Sequence, residues 1–138
     1  MVFGIDASNV NGHIDWPAVA KDVRFAHLKA SEGGSFIDAE FRSNTFKARA
    51  AGLHVGPYHF ARPEHHPGAV GARIEAQFFF SCVGGVRPGS WDIRPTLDLE
   101  LGSGDLTIWA GAFLSEIERL TGVRPLLYTY TALSLIHI

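Results

Sequence analysis

Arg94-Pro95-Thr96-Leu97-Asp98-Leu99-Glu100 alternates polar and apolar side chains behind a proline, the pattern of a short strand with two unlike faces. Thr96, Asp98 and Glu100 fall on one face, Leu97 and Leu99 on the other. Two residues of strand rise place the Asp98 and Glu100 Cα atoms about 6.5 Å apart. That brings the carboxyls near the separations used for glycoside hydrolysis, about 5–5.5 Å with retention and 6.5–9.5 Å with inversion. Like charges so close resist ionising together, so one carboxyl is expected to keep its proton, as a general acid must. Two solvated acids at a strand end would read the same way, and the surrounding chain has to decide.

Outward from this stretch, strands and helices alternate. Val2–Ile5 is a short apolar run leading to Asp6, and a polar turn-rich loop follows. Asp15 is placed to cap a helix with Pro17 in its first turn, running to about Val23. Arg24–Ala30 reads as a strand ending in Ser31-Glu32-Gly33-Gly34. Asp38–Ala51 is a helix closed by Gly52, and Leu53–Phe60 a strand in which Pro57 is awkward for a central position. Ala69–Val83 is a helix with Ala72, Ala76, Phe79, Phe80 and Val83 inward. Asp105 caps a helix over Leu106–Leu120, with Trp109, Phe113, Ile117 and Leu120 at core spacing, and Val123–Thr129 is the fifth strand. Five such alternations predict an α/β fold of parallel strands with right-handed crossovers. Either a doubly wound sheet or the first five strands of a (β/α) barrel fits, and both put a ligand at the carboxyl ends of the strands.

At 138 residues, 46% hydrophobic and 19% charged, the chain is expected to be one domain with a real core. A net charge of −2 without a basic run argues against nucleic acid. The single cysteine, Cys82, reads as a small buried hydrophobe in a helix. No apolar run approaches the roughly 20 residues of a membrane span, and the start Val2-Phe3-Gly4-Ile5-Asp6 does not read as a charged-then-apolar signal peptide. His59, His65 and His66 lack zinc-motif context, so no metal is expected.

The strand ends converge chemically. Asp6 ends the first strand, Glu32 follows the second, Tyr58 and His59 lie in the third, Asp98 and Glu100 end the fourth, and Tyr128 the fifth. Acids and aromatic rings gather on one rim, which suits a carboxylate active site lined by sugar-stacking rings.

The ordered set Gly4-Ile5-Asp6-Ala7-Ser8, Asn11-Gly12-x-Ile14-Asp15-Trp16, Lys29-Ala30-Ser31-Glu32-Gly33, Asp38-x-x-Phe41-x-x-Asn44, Gly56-x-Tyr58-His59-Phe60-Ala61, Leu97-Asp98-Leu99-Glu100 and Pro125-x-x-Tyr128-Thr129 resembles the lysozymes of glycoside hydrolase family 25. These are muramidases on an irregular β/α barrel. Ser31, where the family more often has Thr, and Arg62 before Pro63 depart from the pattern. The resemblance implies hydrolysis of the β-1,4 bond between N-acetylmuramic acid and N-acetylglucosamine in bacterial peptidoglycan, outside the cell or in its wall, by a monomer needing no cofactor. It makes Glu100 the general acid/base, Asp98 its acidic partner and Asp6 a neighbour tuning the pair. Glu32, Tyr58 and Tyr128 become substrate contacts, while Lys29 reads as a structural partner for an acid and Trp16 and Trp109 as packing. The family's barrel continues beyond five strands, so residues 1–131 are expected to be an incomplete catalytic domain and 132–138 an apolar tail unlike the family's continuation. Two other readings stand beside it: a non-catalytic peptidoglycan-binding fragment, and a chitinase-like N-acetylglucosaminidase. A nucleotide-binding protein fits least, because no Gly-rich phosphate loop follows the first strand.

Overall fold

In the computed structural model the described residues are 1–87 and 89–130; the tail expected over 132–138 lies outside them. The elements run β1 (Gly4–Ala7), a 3-10 turn (Asn9–Asn11), α1 (Trp16–Val19), β2 (Phe25–Glu32), β3 (Phe36–Ile37), α2 (Phe41–Ala50), β4 (His54–Phe60), α3 (Gly68–Cys82), β5 (Thr96–Asp98), α4 (Thr107–Thr121) and β6 (Leu126–Tyr128). The main path of the sheet is β1-β2-β4-β5-β6, with every neighbouring pair parallel; β3 adds to β2 antiparallel. Neighbours in space are neighbours in sequence throughout that path. A doubly wound sheet needs a reversal of strand order; here there is none, so the sheet is an arc of a (β/α) barrel.

Helix ends follow local chemistry. Asp15 Oδ1 accepts from the Ala18 N–H at 3.1 Å, but α1 closes at Val19 rather than reaching Val23. The chain must return at once, because the Arg24 N–H bonds Phe3 O to open the β1–β2 ladder. The Asp105 carboxylate accepts from the Thr107 N–H at 2.8 Å at the start of α4. At its end Gly122 takes the left-handed conformation, φ 70°, and donates to Glu118 O, which a Cβ would make costly.

Pro57 does sit in a central strand. The His54 N–H points to β2, onto Arg24 O, and the Val55 N–H points the other way, onto Asp92 Oδ2. By alternation Pro57 faces the same side as Val55, at a level where β5 has not begun, since the β4–β5 ladder opens at Tyr58 and Thr96. The missing N–H therefore breaks no ladder bond.

In β2, Ala26, Leu28 and Ala30 are fully buried towards the helices, while the residues between them face the concave side. A bulge between Lys29 and Ser31 shifts this alternation. Ser31 joins the buried layer beside His59, and Glu32 returns to the concave face, in register with Phe60 and, through it, Asp98 and Tyr128. Strand alternation alone would have put Lys29 and Glu32 on opposite faces; the bulge puts both on the working one.

Behind the sheet α3 and α4 pack on each other. His59, Phe79, Phe113 and Trp109 form a run of ring contacts with centroids 5.2–5.8 Å apart. Trp16 and Trp109 are buried, as packing predicts, and each indole N–H is used, on Asn44 Oδ1 and on His66 O. Cys82 is a free thiol but only half-buried, less enclosed than its apolar surroundings suggested. A Cβ at Gly71 would lie 2.0 Å from His66 O, whereas one at Gly111 meets nothing. Gly71→Ala is thus expected to cost about 2 kcal/mol or more, and Gly111→Ala, in mid-helix, to gain about 0.5–1 kcal/mol. Denaturant unfolding of the two variants checks both signs.

Candidate active site

A cleft of about 410 Å³ opens on the concave face, floored by Phe25 and Leu126 and lined above by Asp6, His27, Tyr58, Thr96, Asp98, Glu100 and Tyr128. The three acids expected to work together therefore meet in one space. Their supports differ from expectation. β5 ends at Asp98, so Glu100 lies just beyond the strand and not on it. The Leu99 N–H still bonds Tyr128 O at 2.9 Å, which fixes the chain between the two acids while freeing Glu100 from strand geometry.

The Asp98 and Glu100 side chains come within hydrogen-bonding reach of each other, closer than the separations inferred from two residues of strand rise. Asp98 is raised from its ordinary 3.8 to about 7, first by burial, then by the charge and hydrogen bond of Glu100 and the charge of Asp6, with Lys29 opposing. The expected raised carboxyl is thus on Asp98. Its Oδ1 is shielded from solvent and has no hydrogen-bond partner among the described residues, a position that disfavours an anion. Burial and the two neighbouring acids together favour a proton on Asp98, held next to Glu100.

Tyr58 is buried and its phenol is pushed far up, chiefly by burial and then by Asp6, Asp98 and Asp38, with a Ser8 hydrogen bond opposing. It stays neutral, a donor at the edge of an acidic site. Tyr128 is an exposed ring at the other edge. His27, in register with Asp6, places Nδ1 3.3 Å from Thr96 Oγ1; burial lowers its pKa against the pull of Asp6. Sequence reading passed over His27, although its position two residues before Lys29 in an alternating strand marks it as concave-facing.

Glu32 does not line the cleft. Lys29 holds its Oε2, and Arg62 grips its Oε1 with Nε at 2.7 Å and Nη2 at 2.6 Å. Burial would raise the Glu32 carboxyl, but these two cations hold it below its usual value. The expected substrate contact is instead an anchored anion beside the site, and Lys29 is the acid's partner that its position suggested.

Of the histidines, His65 is exposed and His59 is wholly buried. His59 Nδ1 meets Ser31 Oγ and Nε2 meets Glu75 Oε2, both at 2.8 Å; His66 Nδ1 meets Glu75 Oε1 at 2.9 Å. No group of three His, Cys, Asp or Glu among the described residues is placed to hold a metal ion. Glu75 went unread: it occupies a core position on α3 between Ala72 and Phe79, and a charge there was the available signal.

The family model for "Glycosyl hydrolases family 25" matches residues 5–137. Lysozyme M1 of Streptomyces globisporus is 37% identical over 100 residues, covering 72% of this chain and 33% of that protein. The N,O-diacetylmuramidase of Chalaropsis sp is 30% identical over 142 residues, covering 93% and 65%. The bacterial lysozyme structure from Streptomyces coelicolor superposes with a TM-score of 0.79 at 31% identity, over 93% of this chain and 62% of that one. The muramidase from Trichobolus zukalii does so with 0.81 at 31%, over 94% and 65%. The chain spans about half the length of other curated relatives, 48% of the Escherichia coli protein YegX at 31% identity. With the barrel arc and the strand-end acids, these matches place the chain in glycoside hydrolase family 25.

Proposed function

We propose that this cleft hydrolyses the β-1,4 bond between N-acetylmuramic acid and N-acetylglucosamine in bacterial peptidoglycan. The observation that carries the reading is the Asp98–Glu100 pair, two carboxyls lining one cleft beside Asp6, where burial and the neighbouring charges push Asp98 up to about 7. Glu100, the more freely placed member, takes the Asp98 proton across their hydrogen bond and delivers it to the glycosidic oxygen as its bond to the anomeric carbon breaks. Two carboxylates, with Asp6 nearby, face that carbon as it acquires positive charge; water then adds to it and returns a proton to the pair. The repulsion that made the pair hold its proton becomes attraction for the cation, so the site binds the transition state better than the ground state. Tyr58 and Tyr128 flank the pair as hydrogen-bond donor and stacking face, and Glu32 serves at one remove, as the anchor of Lys29.

Turbidity clearing of purified cell walls tests this directly. Glu100→Gln and Asp98→Asn are each expected to lower the rate by about 100-fold or more, in the range typical for a positioned proton donor. Clearing at the parent rate by Glu100→Gln would remove that residue from the chemistry. Capture of the chain by insoluble peptidoglycan without release of reducing ends would favour a binding role instead.

The pair also leaves a mark on stability. Below about pH 4 Asp98 is protonated both folded and unfolded and costs nothing. Between its ordinary 3.8 and about 7 the unfolded chain ionises while the folded one resists, so native stability falls as pH rises through that window. Asp98→Asn removes the cost. Its melting temperature relative to the parent is expected to climb from pH 4 to pH 7 and to level off above, as calorimetry at a series of pH values will read.

A further inference from the structure

Glu75 is the buried charge that the chemistry above does not use. Its side chain is fully enclosed, on the face of α3 turned towards His59 of β4. An apolar side chain of similar size would fill the space but leave His59 Nε2 and the Arg62 N–H without their acceptor. What it does is collect donors. Oε2 meets His59 Nε2 at 2.8 Å and accepts from the backbone N–H of Arg62 at 3.1 Å, while Oε1 meets His66 Nδ1 at 2.9 Å. With the Ser31 hydroxyl beside His59 Nδ1, the imidazole can donate to Glu75 and accept from Ser31, so neutral His59 satisfies both neighbours. The segment 61–66, which follows β4 at the carboxyl rim, is thereby tied down at two points.

From that tied point the Arg62 side chain crosses the Phe60 ring, 5.4 Å from its centroid, and grips Glu32 with two nitrogens; its Nη1 meets Glu64 at 3.1 Å. Glu32 in turn holds Lys29, whose Nζ lies 5.2 Å from the centroids of both Phe60 and Phe36. Glu32, Phe60 and Asp98 stand in one register row, with β4 between the first and the last, and from that distance the Lys29 charge still opposes proton retention at Asp98. Resting on the reading of the cleft given above, we propose that Glu75 is a positioning residue: by anchoring Arg62 it fixes Glu32, and with it the Lys29 ammonium, on the concave face two strands from Asp98.

The consequence has a direction. If Arg62 lets go, Glu32 loses one of its two cations and draws on Lys29 alone, and the positive charge that opposes proton retention at Asp98 weakens. The pair then holds its proton to higher pH. Other charged or titratable groups facing the pair are Asp6 on β1, His27 on β2, Tyr58 on β4 and Tyr128 on β6; none of them is bonded to Arg62 or Glu75, so their contribution stays constant.

Carboxyl carbon shifts of Asp98 and Glu100, followed against pH by NMR in labelled protein, read this proton whether or not the chain clears cell walls. Failure of the muramidase reading and failure of this one are thus separate results. Arg62→Met and Glu75→Gln are each expected to raise the upper midpoint of the pair by about half a pH unit. The double variant is expected to match Arg62→Met alone, because Glu75 acts through Arg62. Should Glu75→Gln fail to fold, Glu75→Asp, which keeps the charge but withdraws it by one methylene, replaces it. An unmoved midpoint in Arg62→Met, or a Glu75 variant that lowers only the melting temperature, overturns the proposal. So does a second shift added by Glu75 on top of Arg62→Met.

Discussion

The structure depends on one electrostatic conflict, two carboxyls forced together where water cannot fully screen them. Asp98 is the last residue of β5 and Glu100 lies on the segment just beyond it, while a third acid, Asp6, comes from β1, three strands away along the arc. Nothing in packing favours that arrangement. Burial, the neighbouring charge and an unpartnered oxygen all raise the free energy of the ionised pair, and the core behind the sheet has to offset it. The aromatic run from His59 through Phe113 to Trp109 and the close α3–α4 contact form that core.

Much of the fold was legible because its signals are local. Strand–helix alternation, the Asp15 cap and the stop at Gly122 depend only on nearby residues, and the expected elements lie within a few positions of those observed, though the two-residue β3 was not expected. Sequence alone left the doubly wound sheet and the barrel open, because the choice rests on which strands pair. Long-range pairing also explains Pro57. A proline in a central strand is tolerable only because its neighbour begins one residue later, a fact held in β5 rather than in the strand that carries it.

The acids of the site were legible for a similar reason: strand ends in a parallel α/β arrangement fall on one rim whatever the details. Side-chain environment was not. The β2 bulge, which turns Glu32 to the concave face and Ser31 into the buried layer, has no local signature in Lys29-Ala30-Ser31-Glu32. Arg62 stood out as a departure from the family pattern, but its grip on Glu32 spans 30 positions. Glu75 was visible as a charge on an apolar helix face, and only its three partners show why it is tolerated there.

The most direct measurement of the account is the protonation of Asp98 itself. Infrared spectra of the parent chain at pH 6, between the ordinary aspartate value and about 7, should contain the carbonyl stretch of an un-ionised carboxylic acid, and Asp98→Asn should lose it. A parent spectrum showing carboxylates alone at that pH would contradict the protonated Asp98 on which the chemistry rests.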